Sequence, residues 1–259
     1  MRKYGFKLDV PKPEDYVLGG FMALPKEVLQ PDKNWQDFLP VKEYQNLNNI
    51  EPYACVTFTI LNAIEILIKR KYGLDRNYSD RFLAAMSGTR EGGNSPNSVA
   101  QYLHSEGVVL QEVWPFDQNI DSFEKFYSPV PPELIELAKE FLNEFDFKYE
   151  KVPSNPESIS EALTYSPLLI SVSAWFERDG KYYKPEGFID NHATTLIYER
   201  ENDFRRVFDS YADNEDDPAL KDLEWQALPM QAMRFFISKK EKKTSCKQKI
   251  KNYFWEIFK

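Results

Sequence analysis

The sequence predicts an α+β fold, and three observations support this class. Apolar side chains recur at three- and four-residue steps in residues 53–72, which is the repeat of an amphipathic or buried helix. A proline-rich hinge follows at residues 128–132. Beyond the hinge, short runs of β-branched, aliphatic and aromatic residues indicate strands. We therefore expect a mainly helical lobe in residues 24–127 and a mainly β lobe in residues 128–238.

The helical lobe is preceded by an arm, residues 1–23, that we expect to be extended because prolines and a Gly19-Gly20 pair disfavour a helix there. The most secure helix is residues 53–72. Shorter helical patterns follow at residues 79–86 and 98–105, separated by a loop of composition GTREGGNSPN, and a fourth helix is predicted at residues 133–145.

The β lobe contains four predicted strands, with turn residues between the middle two. They are residues 168–174, 193–198, 205–208 and 232–237. The tail, residues 239–259, has eight lysines against two glutamates, and its apolar residues fall on one helical face. This basic amphipathic pattern suits docking to a membrane surface or a partner protein, and it equally suits a helix packed on its own domain.

Composition excludes several classes of function. The net charge of −8 and the pI near 5.1 have the wrong sign for binding nucleic acid through bulk electrostatics. Two cysteines, Cys55 and Cys246, make no disulfide framework, so a reducing compartment is expected. The charged N-terminus lacks the apolar core of a signal peptide, and no apolar run is long enough for a membrane span.

A nucleophile and a base can be assigned from few candidates. Cys55 begins the most secure helix, where free N–H groups and the macrodipole favour a thiolate, although a cysteine there is also a common buried packing residue. The chain has two histidines. His104 lies late on a short helix and is interpreted as a surface residue, whereas His192 precedes a predicted strand, which would hold it rigidly at a cleft.

A third group should orient the imidazole, and Asp209 is the best candidate because the turn at residues 201–203 can return it beside His192. An ordinary surface aspartate at a strand end is the competing interpretation. The acidic residues Asp213, Asp216 and Asp217 are typical of a solvated loop.

These residues stand in an order that resembles a known family. Residues 48–58, NNIEPYACVTF, occupy the place of the family's Asn-Gln-Gly-Ser-Cys-Gly-Ser-Cys-Trp-Ala-Phe pattern. Residues 91–94, EGGN, are similar to its Asn-Gly-Gly segment, Asn191-His192-Ala193 to its Asp-His-Ala, and residues 208–211, FDSY, to its Lys-Asn-Ser-Trp. Over about residues 6–238 the chain resembles the papain family of cysteine peptidases, particularly its compact bacterial and phage-type members, and the 137 positions between Cys55 and His192 fit that family.

The resemblance implies a papain-like two-lobe fold with the active site in the cleft. It implies peptide-bond hydrolysis with Cys55 as nucleophile, His192 as base, Asp209 as orienting group and Asn49 as oxyanion donor. The substrate-binding residues that it implies are Gly92, Gly93, Asn191 and Tyr211. No metal or other cofactor is expected, and the substrate would be an extended peptide or protein.

Three positions depart from the family pattern. Asn49 replaces the glutamine that stands six residues before the nucleophile, Asp209 replaces the orienting asparagine, and Val56 replaces the tryptophan after the cysteine. Two alternatives therefore stay open: a weak or inactive papain-like scaffold with a binding or structural role, including one in a phage virion, and another Cys-dependent amidase or acyl transferase. A cytoplasmic or virion-associated location is expected.

Overall fold

The computed structural model describes residues 4–13, 15–20, 24–211 and 219–241. The predicted amphipathic helix of the tail beyond residue 241, Cys246, and the acidic loop with Asp213, Asp216 and Asp217 lie outside the described residues. No described helix is long and apolar enough to cross a membrane.

The central helix, α1 (Cys55–Tyr72), is buried at every position from Cys55 to Ile68. It ends at Gly73, whose φ of 64° is a left-handed conformation that glycine adopts without strain. The other helices are α2 (Asp80–Met86), α3 (Pro96–Glu106), α4 (Phe123–Phe126), α5 (Pro132–Glu144) and α6 (Pro156–Leu163).

One eight-stranded sheet forms the rest of the core, in the order β1-β8-β2-β5-β6-β7-β4-β3. Its strands are β1 (Phe145–Val152), β2 (Leu168–Val172), β3 (Phe176–Arg178), β4 (Lys181–Tyr183), β5 (His192–Arg200), β6 (Phe204–Phe208), β7 (Leu220–Glu224) and β8 (Ala232–Lys239). Every neighbouring pair is antiparallel except β4 and β7, which are parallel.

The predicted α+β class is confirmed, and the element bounds differ in informative ways. Helix α5 lies within one residue of the helix predicted at residues 133–145 and runs directly into β1 without a loop, whereas α6 was not predicted. Asn155 caps α6 by accepting a hydrogen bond from the Ser158 N–H at 2.8 Å, a local signal that favours a helix start. Lys239, placed in the tail by the sequence, pairs with Phe145 as the last residue of β8.

The packing of α1 against β5 positions the site. The helix is buried along its length against the sheet, and Thr195 of β5 donates a hydrogen bond to the Thr59 carbonyl at 3.3 Å. The first residue of α1 is Cys55 and the first residue of β5 is His192. A helix start and a strand start therefore lie at the same end of the molecule.

Candidate active site

Cys55 lies at a helix start that has no side-chain cap. The residue before it, Ala54, has no polar side chain, so the first-turn N–H groups are not taken by a capping oxygen. The macrodipole of an 18-residue helix points its positive end at this position. The thiol is fully buried, with 0% of the residue exposed.

His192 is held by one hydrogen bond at a defined ring atom. Its Nε2 donates to Asp209 Oδ1 at 2.6 Å, and both side chains are fully buried. Its Nδ1 is buried without a nitrogen or oxygen partner among the described residues. Because Asp209 occupies Nε2, Nδ1 is the ring nitrogen that remains for the Cys55 thiol, which interacts with the same ring.

The electrostatics favour a charged imidazole. Burial disfavours the imidazolium, but the charge and hydrogen bond of Asp209, with the Cys55 thiol, outweigh it and raise the pKa of His192 to about 9. Burial also disfavours the Asp209 carboxylate, yet the charges of His192 and Lys221 hold the pKa of Asp209 below its ordinary value. The pair is therefore an imidazolium and a carboxylate at neutral pH.

The predicted oxyanion donor, Asn49, is exposed and has a φ of 59° in a short 3₁₀ segment, residues 47–49. Gln45 is the buried amide of this loop, with 0% of the residue exposed. The Gln45 N–H donates to the Ser210 carbonyl at 2.8 Å, and its Oε1 accepts from the Ser210 hydroxyl at 3.4 Å. Its Nε2 has no hydrogen-bond partner among the described residues.

The fixed spacing of six residues before Cys55 pointed to Asn49 and not to Gln45. Gln45 stands ten residues before Cys55 rather than six, and the left-handed turn of Asn48 and Asn49 lies within the extra loop. A buried donor without a partner is costly unless a ligand supplies the acceptor. The available signal was the residue type, since the pattern of the family that the chain resembles has a glutamine before the nucleophile.

Tyr211 packs against the histidine ring. Its ring centroid lies 5.2 Å from that of His192, and its hydroxyl donates to Glu51 Oε2 at 2.7 Å. Glu51 Oε1 accepts the Tyr53 N–H at 3.0 Å, which ties the loop before Cys55 to the segment after Asp209. Tyr211 is fully buried, so it shields the His192–Asp209 pair from water.

The N-terminal arm lies against the residues that were predicted to bind substrate. The Lys7 N–H donates to the Asn94 carbonyl and the Asn94 N–H donates to the Gly5 carbonyl, each at 3.0 Å. The Phe6 N–H donates to the Asn191 carbonyl at 3.3 Å. Residues 4–7 thus form a short parallel β-bridge along one side of the site.

Two glycines permit this close approach. A Cβ on Gly93, which has a φ of 81°, would lie 1.5 Å from the Gly5 carbonyl oxygen, and a Cβ on Gly5 would lie 2.4 Å from the Tyr53 carbonyl oxygen. Both clashes involve backbone atoms, so neither position tolerates a side chain while the arm is in place. The Tyr4 ring packs beside His192, with centroids 5.2 Å apart.

The remaining predicted residues take other positions. Gly92 is exposed with a φ of 81°, and its nearest neighbour from the arm is the Lys7 side chain. His104 is exposed on α3 and its Nδ1 lies 2.6 Å from the Phe147 carbonyl, away from Cys55. Within the described ranges, no group of three or more His, Cys, Asp or Glu side chains is arranged to hold a metal ion.

Comparison with solved structures identifies the fold. Xylellain, a cysteine protease from Xylella fastidiosa, aligns over 94% of this chain and 98% of its own, with a TM-score of 0.63 and 18% identity. The bromelain protease from Ananas comosus, in complex with the E64 inhibitor, aligns over 82% of this chain and 98% of its own, with a TM-score of 0.56 and 18% identity. The cysteine protease CMS1MS2 of Carica candamarcensis, in complex with E-64, aligns over 84% and 100%, with a TM-score of 0.58 and 17% identity.

No family model and no curated protein sequence matches the chain. The structural alignments cover most of this chain and nearly all of each of these three proteases. The chain therefore has the papain-like fold of cysteine proteases, as the sequence predicted.

Proposed function

We propose that the chain is a cysteine peptidase that hydrolyses peptide bonds through a thioester on Cys55. The observation that carries the proposal is the 2.6 Å hydrogen bond from His192 Nε2 to Asp209, which leaves Nδ1 of a buried imidazole for the Cys55 thiol. A nucleophile, a base and an orienting group in this order are the arrangement that acyl transfer requires.

The reaction follows from these three groups. The Cys55 thiolate, paired with the His192 imidazolium, adds to the carbonyl carbon of the scissile peptide. The tetrahedral adduct expels the amine, which takes the proton from His192 Nδ1, and a thioester remains. Water then gives a proton to His192 and adds to the thioester, and collapse releases the acid and restores the thiolate and the imidazolium.

Gln45, rather than Asn49, is our candidate for the side-chain donor to the oxyanion, together with the Cys55 N–H. Gln45 Nε2 is a buried amide donor without a partner among the described residues, whereas Asn49 is exposed. Ser210 holds the Gln45 backbone and Oε1, and Ser210 follows Asp209 directly. A donor fixed in this way needs little reorganisation when charge develops on the substrate oxygen.

The substrate is proposed to be an extended peptide that replaces the arm. Gly93 and the Asn191 carbonyl contact the arm backbone in the present structure, and both can serve a peptide backbone of the same extended form. Peptidase activity therefore requires residues 4–7 to leave the cleft.

Labelling with E-64, the inhibitor in two of the similar structures, tests the proposal. Intact-mass and peptide mapping should place one adduct on Cys55, and Cys55→Ala should abolish it. Cys246 is the internal control, because it is the other cysteine of the chain. The labelling is repeated with Gly5→Val, which displaces the arm, so that a covered cleft is not mistaken for an inert cysteine.

An inactive scaffold is the second candidate, because Cys55 is 0% exposed and the arm lies along the cleft. Labelling of Cys246 but not Cys55 in both the native chain and Gly5→Val would favour the scaffold. Casein, peptidoglycan and amine acceptors, assayed in parallel with Cys55→Ala as control, separate peptide hydrolysis from other acyl transfer.

A further inference from the structure

The Asp209 carboxylate has a second ionic neighbour besides the histidine. The ammonium nitrogen of Lys221 lies 3.0 Å from Asp209 Oδ2, and the two side chains are 3% and 0% exposed. The same nitrogen donates to the Tyr211 carbonyl at 3.4 Å and lies 5.4 Å from the centroid of the Trp175 ring. Lys221 is therefore a buried cation packed against the residues that surround His192.

Strand register explains why Lys221 meets this carboxylate. Strands β6 and β7 pair Val207 with Lys221, and the Asp209 N–H donates to the Ala219 carbonyl at 2.7 Å. Asp209 and Lys221 are thus diagonal neighbours on one face of the sheet, a separation that a lysine side chain can span.

The opposite neighbour of Asp209 follows the same rule. Strands β5 and β6 pair Thr195 with Phe208, so the next position along places Asp209 opposite Thr194 and diagonal to His192. Cation, carboxylate and imidazole consequently form a row across three adjacent strands, with the carboxylate in the middle.

The charges of this row explain why a cation lies beside Asp209. A Cys55 thiolate with a His192 imidazolium is neutral as a pair, and an orienting amide would leave it so. Asp209 adds a buried negative charge, which is costly unless a cation compensates it. Lys221 supplies the compensating charge at the oxygen that His192 does not use.

We propose that Lys221 is a positioning residue that acts through Asp209 to keep His192 neutral in the acyl-enzyme, so that the ring can accept a proton from water during deacylation. The inference rests on the proposed peptidase function. A carboxylate alone would keep His192 protonated after the thioester has formed, and a protonated imidazole cannot accept a proton from water. Lys221 forms an ion pair with the same carboxylate and so weakens the electrostatic stabilisation of the His192 imidazolium by Asp209.

The groups that face His192 come from five parts of the chain. Cys55 faces it from α1, Asp209 from the residue after β6, Tyr4 from the arm, Tyr211 from the segment beyond Asp209, and Trp175 from the segment between β2 and β3. Burial, and then the charges of Glu51 and Cys55, raise the pKa of Tyr211, so its phenol stays neutral. Lys221 reaches the ring electrostatically through Asp209.

NMR titration of isotope-labelled histidine tests the inference directly. The chain has only two histidines, so exposed His104 is an internal reference for His192. Lys221→Met should raise the His192 titration midpoint by about one pH unit or more, and Asp209→Asn should lower it by about as much. The double variant Lys221→Met/Asp209→Asn should titrate within about half a unit of Asp209→Asn, because Lys221 acts through the Asp209 carboxylate.

Kinetics supply the second readout. Deacylation should be slower in Lys221→Met, so the thioester should accumulate. Both kcat and KM should then fall about tenfold near pH 6, and a burst of the first product should appear. A native-like or lower His192 midpoint in Lys221→Met would overturn the inference. If Lys221→Met does not fold, Lys221→Gln takes its place, and a native-like or lower His192 midpoint in that variant overturns the inference equally.

The two proposals fail separately. The His192 midpoints can be measured without turnover. An inactive chain with the expected midpoints would contradict the proposed peptidase function and retain the electrostatic role of Lys221. An active peptidase whose His192 midpoint does not change in Lys221→Met would support the peptidase function and contradict the role of Lys221.

Discussion

At the scale of single residues, Ser210 links two parts of the site. It accepts the Gln45 N–H with its carbonyl and donates its hydroxyl to Gln45 Oε1, and it follows Asp209 in the chain. The orienting carboxylate and the candidate oxyanion amide are therefore fixed by adjacent residues. A substitution that moves the Asp209 carboxylate should therefore also move the Gln45 amide.

Gln45→Ala should lower kcat by about 10²- to 10³-fold, because it removes the buried donor that we propose for the oxyanion. Asn49→Ala is the matched control and should change kcat by less than about threefold, since Asn49 is exposed. Steady-state kinetics with a fluorogenic peptide measure both variants. The reverse order of effects would restore Asn49 as the donor.

The pH profile should show an alkaline limb near pH 9. The pKa of His192 is raised to about 9, so the imidazolium that protonates the leaving amine is lost as the pH rises through that value. kcat/KM should then fall about tenfold per pH unit. A limb near the ordinary histidine value of 6.5 would contradict this expectation, and His104→Gln should leave the limb unmoved.

The same shift has a consequence for stability with a definite sign. A group whose pKa is raised by folding contributes stability that is complete below its unfolded value, near 6.5 for histidine, and lost as the pH rises through about 9. His192 therefore favours the folded chain in acid and neutral solution. Its contribution disappears in the range where the peptidase is expected to lose activity.

At the scale of elements, α1 carries a buried carboxyl group beyond the nucleophile. Glu65 is 4% exposed and accepts the Tyr78 N–H at 2.7 Å, while Asp80 of α2 is also 4% exposed. Burial is the main cause that raises the pKa of both groups well above ordinary carboxyl values, and the Glu43 charge adds to it. Their stabilising contribution is complete at low pH and is lost as the pH rises through the folded values.

Glu65→Gln should therefore raise the melting temperature more at pH 8 than at pH 4. The amide keeps an oxygen for the Tyr78 N–H and cannot ionise, so it avoids a buried charge. Calorimetry at the two pH values measures the difference. Glu140→Gln, at an exposed position of α5, is the control, and an equal change at both pH values would contradict the argument.

The elements also show what the sequence could and could not supply. Helix α1 and strand β5 were predictable because their apolar patterns are long and they meet no competing signal. Strand β7, LKDLE, was not, since its charged residues indicate a surface while Lys221 is buried against a carboxylate from another strand. Cys55, His192 and Asp209 could be chosen as candidate site residues from their type and their order in the chain. Gln45 could not, because its place near the site depends on the path of the loop before Cys55.

At the scale of the whole molecule, the arm and the two parts of the cleft form one structure. The arm contacts Asn94 in the segment before α3 and Asn191 in the residue before β5. Further along, the Leu18 N–H donates to the Lys151 carbonyl at 2.8 Å, which fixes the arm to β1. The arm is held at both ends of its described length.

Gly5→Val should increase kcat/KM and the rate of Cys55 labelling by about tenfold or more. A side chain at this position meets the Tyr53 backbone at 2.4 Å, so the arm cannot keep its place in the cleft. Val10→Ala is the matched control on the same arm, because Val10 is 78% exposed. An unchanged labelling rate in Gly5→Val would mean that residues 4–7 do not limit access.

Because the arm is covalently joined to the domain that it covers, it acts at an effective concentration that dilution cannot lower. The fraction of molecules with an open cleft is then an intrinsic constant of the chain, and every measured substrate affinity is weakened by that fraction. A separate inhibitor would release its target on dilution. If the chain is the proposed peptidase, the tethered arm keeps it latent at any concentration until the arm is cut, released from β1, or displaced by a peptide in excess.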